Sequence, residues 1–132
     1  MRAAAERLGG AQIDDGEAFW RGVREHTEGF FEGPEPLWRL AVPSTTPPLG
    51  LPGAEFLEWA GAQRWLKSTA PAAQIREAAR RAGGHATLFR SPDKAAGAFA
   101  SPEPVLMRLH RALKAEFDPA GILNPGRLYA EL

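Results

Sequence analysis

The stretch from Leu37 to Phe89 sets short apolar runs of strand length between glycine and proline breaks, and this punctuation constrains the fold more than any other feature. Leu37 to Val42 alternates so that Trp38, Leu40 and Val42 share one face and Arg39 takes the other; Pro43 ends the run. Four prolines between Pro43 and Pro52 remove backbone donors and predict a loop. Phe56 to Ala60 and Gln63 to Lys67 flank Gly61 and Ala62, which suits a hairpin. A helix opens at Pro71, lays Ile75 and the alanines at 72, 79 and 82 on a small-residue face, and stops at Gly83 and Gly84. Ala86 to Phe89 then reads as a strand, with Ala86 and Leu88 on one side and His85, Thr87 and Phe89 on the other. Hairpin, helix and strand form a β-β-α-β unit.

Helices flank this unit. Residues 2–8 read as a helix end closed by Gly9 and Gly10. Asp14 and Asp15 are capping residues for a helix with Phe19, Trp20 and Val23 on its apolar side. Ser101 and Pro102 open a last helix, where Val105, Leu109, Ala112, Leu113 and Phe117 form a stripe. The expected fold class is α+β: an antiparallel sheet with helices packed on one face, ferredoxin-like in its elements, and a second face that needs a cover. A chain of 132 residues is one domain, 1–132.

Composition narrows the function. Sixteen basic and sixteen acidic side chains cancel, leaving no field to hold nucleic acid. Phe19, Trp20, Trp38, Phe56, Trp59 and Trp65 therefore read as core rather than as base-stacking platforms. Arg76, Arg80 and Arg81 beside Glu77 read as a solvated helix face. The absence of cysteine excludes disulfides, thiolate nucleophiles and any iron-sulfur cluster ligated by this chain. No apolar run has signal-peptide or bilayer length, so the chain reads as cytoplasmic, peripheral to a membrane only through partners. His26, His85 and His110 lack metal-ligand spacing, and no metal is expected.

At the C-terminus stands Phe117-Asp118-Pro119-Ala120-Gly121-Ile122-Leu123-Asn124-Pro125-Gly126-Arg127-Leu128-Tyr129. Physically it is a helix exit followed by two turns. The string resembles the terminal signature of the vanillyl-alcohol-oxidase-type FAD-linked oxidases. Leu37-Trp38-Arg39-Leu40, Trp59-Ala60-Gly61-Ala62-Gln63-Arg64-Trp65 and Gly83-Gly84-His85-Ala86-Thr87-Leu88-Phe89 extend the likeness to the C-terminal, cap-domain part of the flavin subunits of bacterial glycolate oxidases. The resemblance implies FAD held mainly by an upstream FAD-binding domain that this chain lacks, with Asn124, Pro125, Gly126 and Arg127 returning toward the flavin. It also implies other glycolate oxidase subunits as partners, among them an iron-sulfur subunit, and a small 2-hydroxyacid as substrate. The histidine pair and Gly-Asp-Gly-Asn string of related lactate and hydroxyglutarate dehydrogenases are absent, which leaves open whether this subunit or a homologous one performs the chemistry.

A hydroxyacid carboxylate needs a guanidinium, and hydride loss to a flavin needs a base for the hydroxyl proton. Arg39 and His85, on the sheet face turned from the helix, are the candidates for these tasks, with Arg64 as a second substrate-binding arginine. Each also has a plain reading, as a solvated arginine or a strand-start histidine. The alternative function is a stand-alone α+β module that binds a protein or small ligand without catalysis.

Overall fold

The computed structural model describes residues 6, 7, 9, 14–129 and 131–132. The expected helix over 2–8 lies outside them except at Glu6 and Arg7, which are helical. The chain divides into two compact units, residues 1–33 and 34–132.

In the first unit, helix α1 spans Gly16–Glu25. It starts where expected because Asp15 accepts a hydrogen bond from the Ala18 amide at 2.8 Å. It ends at His26, whose φ of 55° is left-handed. Val23 is buried, but Trp20 is 66% exposed, against the expectation that it joins a core face. Trp20 lies about 100° round the helix from Phe19, and its ring meets that of Phe19 edge-on at 5.2 Å.

The second unit is built on a four-stranded antiparallel sheet ordered β2-β3-β1-β4. The strands are β1 (Leu37–Ala41), β2 (Ala54–Glu58), β3 (Gln63–Lys67) and β4 (His85–Arg90). This is the α+β class that the sequence predicts, with strand ends displaced by one or two residues. Strand β1 lies between β3 and β4, antiparallel to both. Two pairs, β1 with β2 and β3 with β4, are therefore parallel and one strand apart, so neither can be joined by a hairpin. Helix α2 (Ala72–Arg81) makes the second crossover. The proline-rich loop makes the first, and its Leu49 and Leu51 pack on the same buried cluster as Ile75 and Ala79 of α2. Trp38, Leu40, Val42, Leu66, Ala86 and Leu88 supply the sheet side of that cluster. The face assignments read from alternation hold on both β1 and β4.

The opposite face carries Phe56, Trp65, Arg39 and Thr87 in one cross-strand row. It is not the open surface expected: Leu37, Trp65 and Thr87 are buried, and Trp65 meets Phe89 edge-on at 5.0 Å. Arg76 also departs from its solvated reading. Its guanidinium stands 5.6 Å over the Trp38 ring and donates to the carbonyls of Ala96 and Gly97, pinning the small-residue loop beside α2. Arg80 stays on the surface, paired with Glu77 at 2.8 Å.

Helix α3 spans Pro104–Phe117 and begins three residues after Ser101. Pro104 explains the shift, because the residue before a proline avoids helical geometry while proline itself fits the first helical turn. The stripe proves to face outward. Val105, Leu109, Leu113 and Phe117 are exposed, and Met107 is the buried residue of this helix. No helix among the described residues is long and apolar enough to cross a membrane.

Gly83 and Gly84 close α2 with a Schellman motif: the Gly83 amide donates to Arg80 and the Gly84 amide to Ala79, both at 2.9 Å, with Gly83 at φ 78°. A Cβ on Gly84 would stand 2.0 Å from the Ala41 carbonyl oxygen and 2.9 Å from Val42 Cα. Gly84→Ala is expected to lose about 2–3 kcal/mol in urea unfolding by forcing β1 and β4 apart. Gly16→Ala, with open space and ordinary φ, serves as the control that stays within about 1 kcal/mol of the parent.

Candidate functional site

Where β1 leaves the sheet and β4 enters it, a groove of about 390 Å³ opens between Ala41, Val42, Pro43, Trp59, Ala62, Gln63, Gly83, Gly84 and His85. Two turns make its walls. Pro43 starts the first crossover, and the Thr46 amide donates back to its carbonyl at 2.9 Å. The other turn, Trp59–Gly61, closes the β2-β3 hairpin in left-handed conformation: φ is 51° at Trp59, 52° at Ala60 and 86° at Gly61. Glycine takes this conformation freely; for tryptophan and alanine it costs on the order of 1 kcal/mol each. The sequence reading places Trp59 in the core, yet the turn holds it 78% exposed on the rim of the groove. Gly61 was the available signal of a turn, but its left-handed geometry extends backward over two residues that rarely adopt it.

Of the sequence candidates, the structure brings Arg39 and His85 to one sheet face. His85 faces Ala41 in the register and Arg39 faces Thr87, so the two are diagonal neighbours, about 7–8 Å apart at Cα by sheet geometry. Both side chains are exposed. His85 lines the groove; Arg39 stands one step further into the sheet. On edge strand β2 Glu58 accepts from Gln63 Nε2 at 2.7 Å and from the Trp65 indole N–H. Arg64 is on the other face, 5% exposed. Its Nε donates to Gly61 at 3.1 Å, its Nη1 to Pro47 at 3.0 Å and its Nη2 to Thr46, all carbonyl oxygens. A substrate carboxylate would have to displace these partners. The guanidinium fork instead ties the two walls of the groove together.

The C-terminal string is a second construction. Asp118, buried, ends α3 and accepts from the amides of Ile122 at 3.1 Å and Leu123 at 2.8 Å, and from Lys114 Nζ at 2.6 Å. Lys114 also donates to the Leu123 carbonyl. The Lys114 hydrogen bond, followed by the amide of Leu123 and that of Ile122, holds the Asp118 carboxyl below the usual carboxylate range against the opposing effect of desolvation. Gly121, Asn124 and Gly126 take φ of 63°, 48° and 66°. Asn124 tolerates this because its short polar side chain is the non-glycine type best suited to left-handed geometry. Residues 124–127 are exposed, and the Asn124 carboxamide makes no hydrogen bond among the described residues. It keeps a donor and an acceptor free, which fits the polar edge of a flavin. Asp118 is the residue the sequence reading undervalued, as a helix stop only; an aspartate followed by Pro-x-Gly was its signal. Among the described residues no three histidine or carboxylate side chains gather closely enough for a metal ion.

Residues 93–128, from the small-residue loop through α3 to the turn after Gly126, match the model of the FAD linked oxidases, C-terminal domain. Over all 132 residues the chain is 48% identical to glycolate oxidase subunit GlcE of Escherichia coli (strain K12). The chain belongs to the FAD-linked oxidases. It spans 36% of the length of that relative. No solved structure matches it. The Asp118 construction lies within the segment that the family model matches, whereas the groove and the Arg39–His85 face lie outside that segment; the glycolate oxidase relative spans both.

A carboxyl whose folded pKa is depressed stabilises the fold above its unfolded value, near 3.9 for aspartate, and that contribution disappears as pH falls through the lower folded value. Amide exchange at Ile122 and Leu123 is therefore expected to be equally slow, after correction for intrinsic rates, from pH 7 to pH 5 and to accelerate below about pH 4. Asp118→Ala, which removes both acceptor oxygens, is expected to expose both amides at every pH. Protection that survives the substitution would show that Asp118 does not hold the turn.

Proposed function

We propose that this chain is the cap portion of an FAD-dependent oxidoreductase subunit that acts on glycolate or a related 2-hydroxyacid. The observation that carries the reading is the placement of Arg39 and His85 as diagonal neighbours on one sheet face, with His85 opening onto the groove. FAD, when bound, would supply the hydride acceptor for carbon 2 of the hydroxyacid. The Arg39 guanidinium binds the substrate carboxylate, and an imidazole nitrogen of His85 takes the hydroxyl proton as the hydride leaves. Asn124 offers its carboxamide to the cofactor, and Pro125, Gly126 and Arg127 bring backbone close to it.

The remaining length of such a subunit holds most of the FAD, and the apolar face of α3 docks on it or on a partner subunit. Electrons leave the flavin through further glycolate oxidase subunits, among them an iron-sulfur subunit, with which the flavin subunit assembles as a hetero-oligomer. Such an enzyme works in the cytoplasm and meets the membrane through its partners.

The test is steady-state kinetics of the full-length flavin subunit, assembled with its partners and carrying substitutions at these positions. His85→Gln is expected to lower kcat/KM for the hydroxyacid about 10²- to 10⁴-fold, the usual worth of a general base. Arg39→Ala is expected to raise KM at least about tenfold, as for loss of a charge-assisted pair. Full turnover by both variants would overturn the assignment and move the chemistry to a homologous subunit.

A further inference from the structure

The groove is more apolar than glycolate requires, and it is open enough to solvent to take a longer chain lying along it. His85 and Gln63 give the groove one polar side; Val42, Pro43, Ala62 and Trp59 make the rest apolar. An exposed tryptophan in a backbone conformation it rarely adopts persists only where its surroundings over-determine it. Here they do. Arg64 is buried and its three carbonyl partners lie on both turns, Gly61 on one and Thr46 and Pro47 on the other. Val42 adds a further tie, donating its amide to Ala62 at 2.9 Å. Trp59 is thus presented to the groove by a locked frame.

We infer that Trp59 is the specificity wall of this groove, selecting 2-hydroxyacids with a hydrocarbon substituent on carbon 2, and that Arg64 is the positioning residue that holds it. The inference rests on the proposed hydroxyacid site and names its preferred substrate class. The substituent lies against the indole and the proline ring, while the carboxylate and hydroxyl stay toward Arg39 and His85. Each methylene removed from water at full burial is worth about fourfold in affinity, so a partly covered four-carbon chain gains at least about tenfold.

The experiment is an NMR titration of the full-length, FAD-loaded flavin subunit, ¹⁵N-labelled at tryptophan and histidine, following the Trp59 indole N–H and the His85 ring signals, with glycolate, 2-hydroxybutyrate and 2-hydroxyhexanoate as probes. The expected result is that both signals move together, with Kd for 2-hydroxyhexanoate at least about tenfold below that for glycolate. Trp59→Gly relieves the left-handed strain and is expected to abolish this preference, bringing the Kd for 2-hydroxyhexanoate to within about twofold of that for glycolate. Arg64→Lys keeps the charge but loses the fork, and is expected to broaden the Trp59 signal and reduce the preference. Equal affinity for all three acids with His85 shifts present would overturn the specificity wall and leave the hydroxyacid site standing. A preference untouched by Trp59→Gly would do the same. No response of His85 to any acid would overturn both readings.

Discussion

The position of β1 between β3 and β4 governs the rest of the second unit. A central strand antiparallel to both neighbours leaves two parallel pairs to be joined by crossovers, one through a proline-rich loop and one through α2. Both crossovers pack on the same side, where Leu49, Leu51, Ile75 and Ala79 meet the sheet. The other face is thereby released from holding the connections and can carry Arg39 and His85. The loop crossover has no internal hydrogen-bond ladder, so something else must fix it. Arg64 does so by reaching from β3 to the carbonyls that prolines and turns leave without amide partners.

Most of this arrangement was legible because it depends on period and punctuation. Alternation assigned the faces of β1 and β4, and the Gly83-Gly84 pair marked the end of α2. The misreadings of apolar residues share one cause: each was taken to be buried. Trp20, Trp59 and the α3 stripe are apolar by sequence and exposed in the structure, and periodicity says which residues share a face but not what lies opposite. Arg64 and Arg76 fail in the opposite sense. Both look like surface arginines, and both are drawn in by carbonyls 17 to 21 residues away, a long-range pairing that no local pattern encodes. For the candidate site, the common face of Arg39 and His85 was readable, whereas the groove beside it depends on a turn whose handedness was not.

The segment matched by the family model and the rest of the chain divide the labour in physical terms. In the segment shared with the FAD linked oxidases, Asp118 satisfies two amides and a lysine, and glycine or asparagine occupies each left-handed position. The residues that make the signature recognisable therefore build a rigid turn. What it presents outward is Ile122, Leu123 and the Asn124 carboxamide. Chemistry assigned to this region accordingly belongs to what the turn displays rather than to the residues that shape it.

The left-handed turn at Trp59 has a consequence for how this chain would respond to selection. A library randomised at residues 59 and 60 and sorted only for expression or heat resistance should drift toward glycine, asparagine and aspartate, the residues most at ease with that backbone. Sorting the same library on binding would pull position 59 back toward a large flat ring. The divergence between the two pools measures how far this loop has been held away from its own folding optimum.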